Sequence, residues 1–558
     1  MAIIIDYNPS TLFDKALFNF DEIINTQNFR LSGVVKVSVS DPFTISNYLK
    51  HGAIPSIYTN QIFISTWTIT QLSNFQSILD SYSQFINLSF SKIVNLSGLN
   101  PADVGASSDI NLSAIYRTSL DFAGMAAIPT APFGYIGSEL DIVLNTAAYS
   151  DTSLATTTFS GHVLMHEIGH VLGLSHPHRE IVNGKAILTS DFTAIQNAGF
   201  SQLGFVIRNA ADLNKEFFTI MSYDDQRPIS GKNTYAQTPM ILDVLALQAC
   251  YGFGPGTSQK NNDIITPGAG GTVDSYRTYF DVGGFDQINL INYSEGAYLN
   301  MGVSINEAPY KVGVSMSFAD YQLMINGADP KSLRWFYGEF ENSRGSRAND
   351  LIIGNDFNNQ ISGGFGNDVI NGGAGIDIAI YSGFVTEYFL KTGKTSIDVT
   401  DKIINRDGID TLTSVERLKF NDASIALDVG KDQSAGTAYM LYRAALAREP
   451  DKEGLGFWIS ALDRGGNIYE IAKEFITNPE YIAKYGVNNS NSEFVSNLYR
   501  NVLNRALDKE GFDYWVKGLD SGATTRPIVL QDFASSPENV TQVASLVVHG
   551  IVYSEWMG

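Results

Sequence analysis

The sequence predicts a multidomain protein in which an α+β domain is followed by a parallel β-roll or β-sandwich region and then by an all-α domain. Three observations carry this prediction. Helical apolar periodicity surrounds a histidine-rich segment near residue 170, glycine-rich nine-residue units fill residues 345–380, and a helical pattern after residue 435 recurs at an offset of 57 to 58 residues. We therefore divide the 558 residues into five segments: 1–52, 53–252, 253–343, 344–430 and 431–558.

The composition limits the classes of partner. With 58 acidic and 37 basic residues the net charge is −21, which argues against nucleic acid and anionic membranes and is compatible with calcium, whose ligands are oxygen atoms. The one cysteine, Cys250, excludes an intrachain disulfide, so bound metal is the expected source of extra stability. We expect no membrane span, and the N-terminus lacks the features of a signal peptide.

The residues with the clearest chemistry lie at 166–176 and read His-Glu-Ile-Gly-His-Val-Leu-Gly-Leu-Ser-His. His166 and His170 are four residues apart, so they share one helix face and can hold one Zn²⁺ from the same side. Glu167 can point at a metal-bound water without binding the metal. Gly173 lets the helix end and the chain turn, which returns His176 as a third ligand. Three protein ligands leave a position for water, as in a catalytic zinc site; the alternative is a helix with three surface or core histidines.

The extended motif resembles that of the metzincin zinc endopeptidases, and residues 219–223, Thr-Ile-Met-Ser-Tyr, resemble the Met-turn of their serralysin branch. The resemblance implies that Met221 is the Met-turn residue beneath the zinc. It also implies that Tyr223 is a further, displaceable zinc ligand that moves to stabilise the transition state. The family pattern is filled without His162 and His178, so we expect neither to bind metal.

The elements around this motif follow from the apolar pattern. We expect strands at residues 62–68, 109–115 and 140–144, a helix at 70–93 with Thr70 as its N-cap, the zinc helix at 160–172, and a helix from Pro239 to Tyr251 that stops at Gly252. This order is similar to the N-terminal half of metzincin domains, in which an edge strand binds substrate as an added strand. Residues 1–52 are either a prosegment, as in serralysins, or an N-terminal arm on the catalytic domain.

A calcium-binding β region is expected after residue 252. Asp281 and Asp286 lie five residues apart around Gly283, and such a glycine turn can share one cation between carboxylate and carbonyl oxygens. The segment resembles the D-x-G-x-x-D segment of serralysins, which implies that an upstream loop ending at Asp263 completes the site. The alternative is a hairpin with a plain glycine turn.

Four nine-residue units occupy residues 345–353, 354–362, 363–371 and 372–380. They are identified as RTX nonapeptides, each of which makes a turn and a short strand of a parallel β-roll, with the sixth place facing calcium and the eighth filling a thin core. Two units make one coil, so we expect calcium between sixth places 18 residues apart, more weakly where one of them is an amide. The residues of these expected sites are Gly345, Asp350, Asn359, Gly363, Gly366, Asp368 and Asp377.

With so small a core, the roll should be unfolded without calcium. Residues 410–422 resemble the strands that cap such rolls in secreted RTX proteins. The alternative for residues 345–380 is a glycine-rich disordered linker.

The last segment repeats itself. Tyr442, Asp451 and Trp458 recur as Tyr499, Asp508 and Trp515, and the Asp-Lys-Glu-Gly segments read as capped turns. The pair of repeats resembles a helical module of unassigned function that occurs in secreted and surface-layer RTX proteins, which suggests binding or anchoring by analogy.

The sequence therefore predicts a secreted, calcium-stabilised zinc endopeptidase with one catalytic Zn²⁺ and several structural Ca²⁺ ions. Glu167 is the expected general base, and Tyr223 stabilises the oxyanion. Its partners would be protein or peptide substrates and, because RTX repeats occur without a signal peptide, the type I secretion apparatus of a Gram-negative cell. The alternative is a calcium-dependent cell-surface or surface-layer protein whose protease site serves self-processing or surface trimming, with the helical module as its anchor.

Overall fold

The structure is a computed structural model, and it describes residues 33–39, 67–95, 109–115, 124–127, 140–174, 176–182, 185–188, 213–222, 235–256, 261–268, 276–303 and 308–556. It divides into two compact units, Met1–Asn342 and Ser343–Gly558. Most of residues 1–52 and residues 62–66 of the first expected strand lie outside the described residues. The division of the chain into five segments stays a prediction.

The first half of the first unit contains a five-stranded sheet. The strands of this half are β1 (Val34–Val35), β2 (Val37–Val39), β3 (Ser89–Phe90), β4 (Val94–Asn95), β5 (Ile110–Ile115), β6 (Gly124–Ala127), β7 (Leu140–Asn145), β8 (His178–Val182) and β9 (Lys185–Leu188). The sheet has the order β4-β2-β5-β7-β6, and β6 is its antiparallel edge strand. The strands expected at residues 109–115 and 140–144 are confirmed as β5 and β7, which pair in parallel.

The helix α1 (Ile69–Phe85) begins earlier and ends earlier than the sequence predicts. Its N-cap is Thr68 rather than Thr70, because Thr68 and Gln71 stand three residues apart and form a capping box. The helix ends at Phe85 rather than near residue 93, because Ile86 is extended and bridges to Phe253, after which the chain enters β3. The apolar stripe that predicts the helix is the face that it buries.

Two further helices, α2 (Phe159–Val171) and α3 (Ile241–Tyr251), form the core of this unit with α1. α2 is capped by Thr158 and is buried along nearly its whole length, including its charged residue. α3 begins after Met240, two residues beyond the expected start at Pro239. It stops at Gly252, whose positive φ of 78° is a conformation that glycine tolerates. The phenol of Tyr82 on α1 donates to the Met165 carbonyl of α2 at 2.7 Å.

The second half of the first unit is a β region. Its elements are β10 (Ile264–Ile265), β11 (Tyr276–Asp281), β12 (Gln287–Asn289), β13 (Ala297–Val303), β14 (Lys311–Ser317), α4 (Phe318–Ile325) and β15 (Leu333–Gly338), followed by β16 (Asn342–Arg344). β14 pairs antiparallel with β13 and β15, and β11 pairs in parallel with β15. β10 and β12 pair in parallel beside the turn at residues 281–286.

The second unit opens with the β-roll. Its strands are β17 (Leu351–Ile353), β18 (Gln360–Ser362), β19 (Val369–Asn371), β20 (Ile378–Ile380), β21 (Tyr388–Thr392), β22 (Ile397–Asp401), β23 (Ile409–Thr413), β24 (Arg417–Lys419) and β25 (Ser424–Ala426). β17 pairs with β19 and β18 with β20, in parallel and 18 residues apart, so the two-unit coil is confirmed. The eighth places are buried in the core, as predicted: Ile352, Ile361, Ile370 and Ala379.

Helices fill most of the rest of the second unit. They are α5 (Ser434–Leu446), α6 (Lys452–Asp463), α7 (Ile468–Thr477), α8 (Pro479–Tyr485), α9 (Asn491–Asn501), α10 (Lys509–Ser521), α11 (Arg526–Ala534) and α12 (Pro537–Ala544). Asp451 and Asp508 cap α6 and α10 in the same way, each accepting a hydrogen bond from a glycine amide three residues later. The duplicated sequence thus folds as duplicated helices around one apolar core.

The prediction of an all-α C-terminal segment is wrong at its end. Residues Ile551–Tyr553 form a strand, β26, which pairs antiparallel with β25 of the roll. The pattern explains the strand, since Ile551 and Tyr553 are buried and Val552 between them is exposed. No helix among the described residues combines the length and the apolar character needed to cross a bilayer.

We expect Tyr82→Phe to lower the free energy of unfolding of the first unit by about 1 kcal/mol, because it deletes a buried hydrogen bond between α1 and α2. Urea denaturation would measure the change. Tyr514→Phe is the matched control, since Tyr514 is 69% exposed and its loss of a hydroxyl should leave the stability unchanged. Equal effects of the two variants would contradict the prediction.

Candidate metal centre

Three imidazoles converge at the end of α2. The Nε2 atom of His176 lies 3.1 Å from Nε2 of His166 and 3.1 Å from Nε2 of His170. Two nitrogens bound to one tetrahedral zinc at about 2.05 Å stand about 3.3 Å apart, so the spacing suits a shared Zn²⁺. The sequence motif and the fold therefore bring the same three side chains together.

The outer ring nitrogens set the orientation of these ligands. Nδ1 of His166 lies 2.8 Å from the Ile220 carbonyl, and Nδ1 of His170 lies 2.8 Å from the Leu174 carbonyl. A carbonyl can only accept, so each Nδ1 carries the proton and each Nε2 presents its lone pair to the centre. Burial lowers the pKa of both histidines, and for His166 the neighbouring imidazoles lower it further. Converging lone pairs on neutral rings are a donor set for a cation.

Glu167 lies beside this cluster under the edge strand β6. Burial raises the pKa of its carboxyl to about 8, although a hydrogen bond from the Ala126 amide of β6 opposes the shift. A Cβ added to Gly124 would lie 2.6 Å from Cγ1 of Val163 and 2.8 Å from Oε1 of Glu167. Only glycine therefore allows the edge strand to lie this close to α2.

Met221 lies beneath the histidine helix and is fully buried. A Cβ added to Gly169 would stand 2.9 Å from its sulfur, so the turn at residues 219–222 packs directly against the helix backbone. Tyr223, the expected fourth protein ligand, lies outside the described residues, and its role stays a prediction.

Asp243 on α3 organises this turn, and sequence reasoning missed it. Its carboxylate accepts from the Thr219 hydroxyl at 2.6 Å, from the Ile220 amide at 2.8 Å and from the Met240 amide at 2.9 Å. Burial raises the pKa of Asp243 to about 7, and the three hydrogen bonds partly oppose this increase. Ile220, whose amide it fixes, supplies the carbonyl that orients His166. Asp243 thus positions the histidine cluster through the turn at residues 219–222. The sequence signals it only as an acidic residue within a largely apolar helix.

His162 and His178 were expected not to bind metal. Nδ1 of His162 lies 3.4 Å from the carboxylate of Glu216, and both side chains are buried; the histidines whose ring nitrogens converge are His166, His170 and His176. For His178 the structure describes the backbone, which begins β8.

The calcium turn of the first unit brings Asp263, Asp281 and Asp286 together, with ligand oxygens within 4.8 Å of one another. The Asp263 amide donates to Asp286 at 2.8 Å, and the Asp286 amide donates to Glu341 at 2.8 Å. Gly283 of the same turn has φ 83°. A cation suits so many neighbouring carboxylates. Glu341 was missed because it lies far along the chain from the D-x-G-x-x-D segment.

The sixth places of the repeats stack into two columns. In one, the Asp350 amide donates to Asp368 at 2.8 Å and the Asp368 amide donates to Asp410 at 3.0 Å. In the other, the Asn359 amide donates to Asp377 at 2.8 Å and the Asp377 amide donates to Glu416 at 2.9 Å. Asp410 and Glu416 continue the columns beyond the repeats, where no nine-residue pattern points to them.

The glycines of these expected sites lie where neighbouring segments of the roll come too close for a side chain. A Cβ on Gly345 would be 2.0 Å from the Gly363 carbonyl, and one on Gly363 would be 2.1 Å from Asp368. Gly366 has φ 117° and lies against Ala348 of the coil before it. Buried, adjacent carboxylates with this tight glycine backbone fit calcium.

We expect Asp243→Ala to lower zinc affinity by about 10- to 100-fold, because the Met-turn no longer holds the Ile220 carbonyl against His166. Competition with a chromogenic chelator would measure the dissociation constant. Asp320→Ala is the matched control, since Asp320 is a buried carboxylate at the start of α4. Unchanged zinc affinity in a folded Asp243→Ala protein would contradict the role assigned to Asp243.

The buried carboxylates predict that calcium-free protein loses stability as pH rises. Burial and neighbouring acids raise the pKa of Asp286 to about 6, and they also raise the pKa of its neighbour Glu341. Since the folded pKa of Asp286 exceeds its ordinary 3.8, the stabilisation by its protonated form is fully present below about pH 4 and is lost as pH rises through about 6. Melting temperatures in chelator should therefore fall from pH 5 to pH 8, and excess calcium should remove most of that fall. A calcium-free protein that gains stability over this range would refute the prediction.

Two family models match the chain. The RTX calcium-binding nonapeptide repeat (4 copies) matches residues 344–379, and the Domain of unknown function (DUF4214) matches residues 472–543. The first match covers the four units that form the coils of the roll. The second covers α7 to α12 in large part, where the duplicated helices lie.

Curated relatives match over about half of the chain. Serralysin of Proteus mirabilis is 26% identical over 311 residues, which cover 51% of this chain and 53% of the relative. Metalloprotease AprA of Pseudomonas entomophila is 28% identical over 257 residues (42% and 45%), and serralysin of Photorhabdus laumondii is 24% identical over 316 residues (53% and 57%). The chain spans about half the length of the curated relatives it matches. The chain is thus similar to serralysins over about half of its length, and it also matches the RTX calcium-binding repeat and a C-terminal domain of unknown function.

Proposed function

We propose that the chain is a secreted zinc endopeptidase with a metzincin catalytic fold, stabilised by calcium. The observation that carries the proposal is the convergence of three imidazoles, those of His166, His170 and His176, beside the buried carboxyl of Glu167. Serralysin and metalloprotease names among the relatives, and the RTX match, support it further.

Zinc held by His166, His170 and His176 would polarise the peptide carbonyl and acidify the attacking water. Glu167 would accept the proton of that water and pass it to the leaving amine. Burial favours the protonated form of this carboxyl and a bound cation would favour the carboxylate, so one group can act first as base and then as acid. By the resemblance to serralysins, Tyr223 would donate a hydrogen bond to the oxyanion.

The edge strand β6 supplies a place for an extended peptide. It pairs with β7 on one side, and it is the last strand of the sheet on the other. An added substrate strand would run along β6 with its scissile bond over the histidine cluster, because the Ala126 amide already reaches Glu167. The main-chain hydrogen bonds of such pairing would hold many sequences, so we propose a general protein substrate.

The RTX repeats and the serralysin relatives support type I export and an extracellular location, and both are part of the proposal. The surface-protein alternative rests on the helical module, whose matching family model describes a domain of unknown function. Association with the cell surface or a surface layer stays a prediction.

The test is casein hydrolysis with calcium present, comparing wild type with Glu167→Ala and quantifying zinc in both. We expect a loss of at least about 100-fold in kcat/KM with zinc content near one ion per chain, since Glu167 moves protons and does not bind the metal. Glu295→Ala is the control, because Glu295 is exposed in the same unit and its loss should leave activity unchanged. Zinc-loaded wild type that cleaves no protein substrate would sink the general-protease proposal and favour the surface-protein alternative.

A further inference from the structure

The two coils of the β-roll differ in how their turns are closed. In the second coil, residues 363–380, the second and fourth places of each unit are glycines with φ between 101° and 123°. In the first coil, residues 345–362, the same places hold Ser346, Ala348, Asn355 and Phe357. None of these four described residues has a positive φ. The turns of the first coil therefore have a different backbone conformation from those of the second.

Side chains close the turns of the first coil. The Ser346 hydroxyl accepts from the Ala348 amide at 3.1 Å and donates to Asp350 at 2.8 Å, and the Ser346 amide donates to the other carboxylate oxygen at 2.6 Å. The next unit repeats the arrangement with an amide in place of the hydroxyl. Asn355 accepts from the Phe357 amide at 3.0 Å and from the Asn359 side chain at 2.8 Å. The second and sixth places thus satisfy one another in both units.

The second coil has no such closure. Asp368 and Asp377 each use Oδ1 to accept an amide of the first coil, at 2.8 Å. Their Oδ2 atoms are buried and have no hydrogen-bond partner within the described part of the chain. Both side chains are at most 1% exposed. A buried carboxylate oxygen without a donor is costly unless a cation binds it.

The glycines of the second coil lie directly on the backbone of the first. A Cβ at Gly364 would stand 2.4 Å from the Ser346 carbonyl, and one at Gly373 would stand 2.3 Å from the Asn355 carbonyl. Asn349 and Asn358 also accept amides of the second coil, at 2.8 Å each. The first coil therefore presents a surface of backbone and amide groups on which the second coil stacks.

We propose that the first coil folds without calcium and serves as the template for the second, which requires one calcium ion at Asp368 and one at Asp377. This changes the expectation that the whole roll is unfolded without calcium. Under this proposal only the glycine-rich turns of the second coil need calcium to fold. The inference does not depend on the proposed protease activity.

Hydrogen exchange on the full chain, with calcium and with excess chelator, tests the template. In chelator, peptides covering residues 346–348 and 355–357 should stay protected, while peptides covering 365–369 and 374–378 should exchange. Loss of protection in both coils together would overturn the template, and protection of both would overturn the calcium requirement of the second coil. Ser346→Gly combined with Asn355→Gly should remove the chelator-resistant protection; if that protein fails to fold, the wild-type exchange decides.

Calcium counting tests the assignment of the ions. Asp368→Asn and Asp377→Asn should each bind one calcium ion fewer than wild type, measured by equilibrium dialysis on the folded full chain. Asp356→Asn is the matched control, since Asp356 is exposed in a turn of the first coil and its removal should leave the count unchanged. Unchanged counts in both Asp368→Asn and Asp377→Asn would overturn the assignment.

Discussion

At three places in this chain, buried side chains bring electron-rich atoms close together. A bound cation would offset the cost of burying them there. The ring nitrogens of three histidines converge at the end of α2. Carboxylates meet at the turn around residues 281–286 and again along the columns of the roll. With 58 acidic and 37 basic residues the chain has too few basic groups to pair every acid, and we expect metal binding to contribute to folding at these places.

Hydrogen bonds from elsewhere in the fold hold these donor groups in place before any ion binds. At the histidine cluster the chain of contacts runs from Asp243 through the turn at residues 219–222 to the Ile220 carbonyl and then to His166. In the roll, backbone amides of one coil bind the carboxylates of the next. Such preorganisation lowers the cost of assembling a site, because the ligands lose little freedom when the metal arrives.

Local sequence patterns predicted the parts of the structure that depend on local chemistry. The histidine spacing, the buried stripe of α1 and the nine-residue period are each set by helix or coil geometry, and the structure has all three. What lay beyond prediction depends on contacts between distant segments. Asp243, Glu341, Asp410 and Glu416 join their sites through tertiary packing, with no spacing rule that links them to the motif residues. The end of α1 was misplaced for a similar reason, since Ile86 leaves the helix to bridge to Phe253.

The pairing of β25 with β26 makes the helical module an insertion between two neighbouring strands rather than a tail. Ala426 faces Ile551 across the antiparallel pair, so the module leaves the sheet and returns to it at nearly the same point. A short turn joining these strands would preserve the sheet while removing every helix between them. In this topology β25 and β26 form an antiparallel hairpin, and the helical domain takes the place of its loop. The domain could therefore be gained or lost without rearranging the strands of the roll.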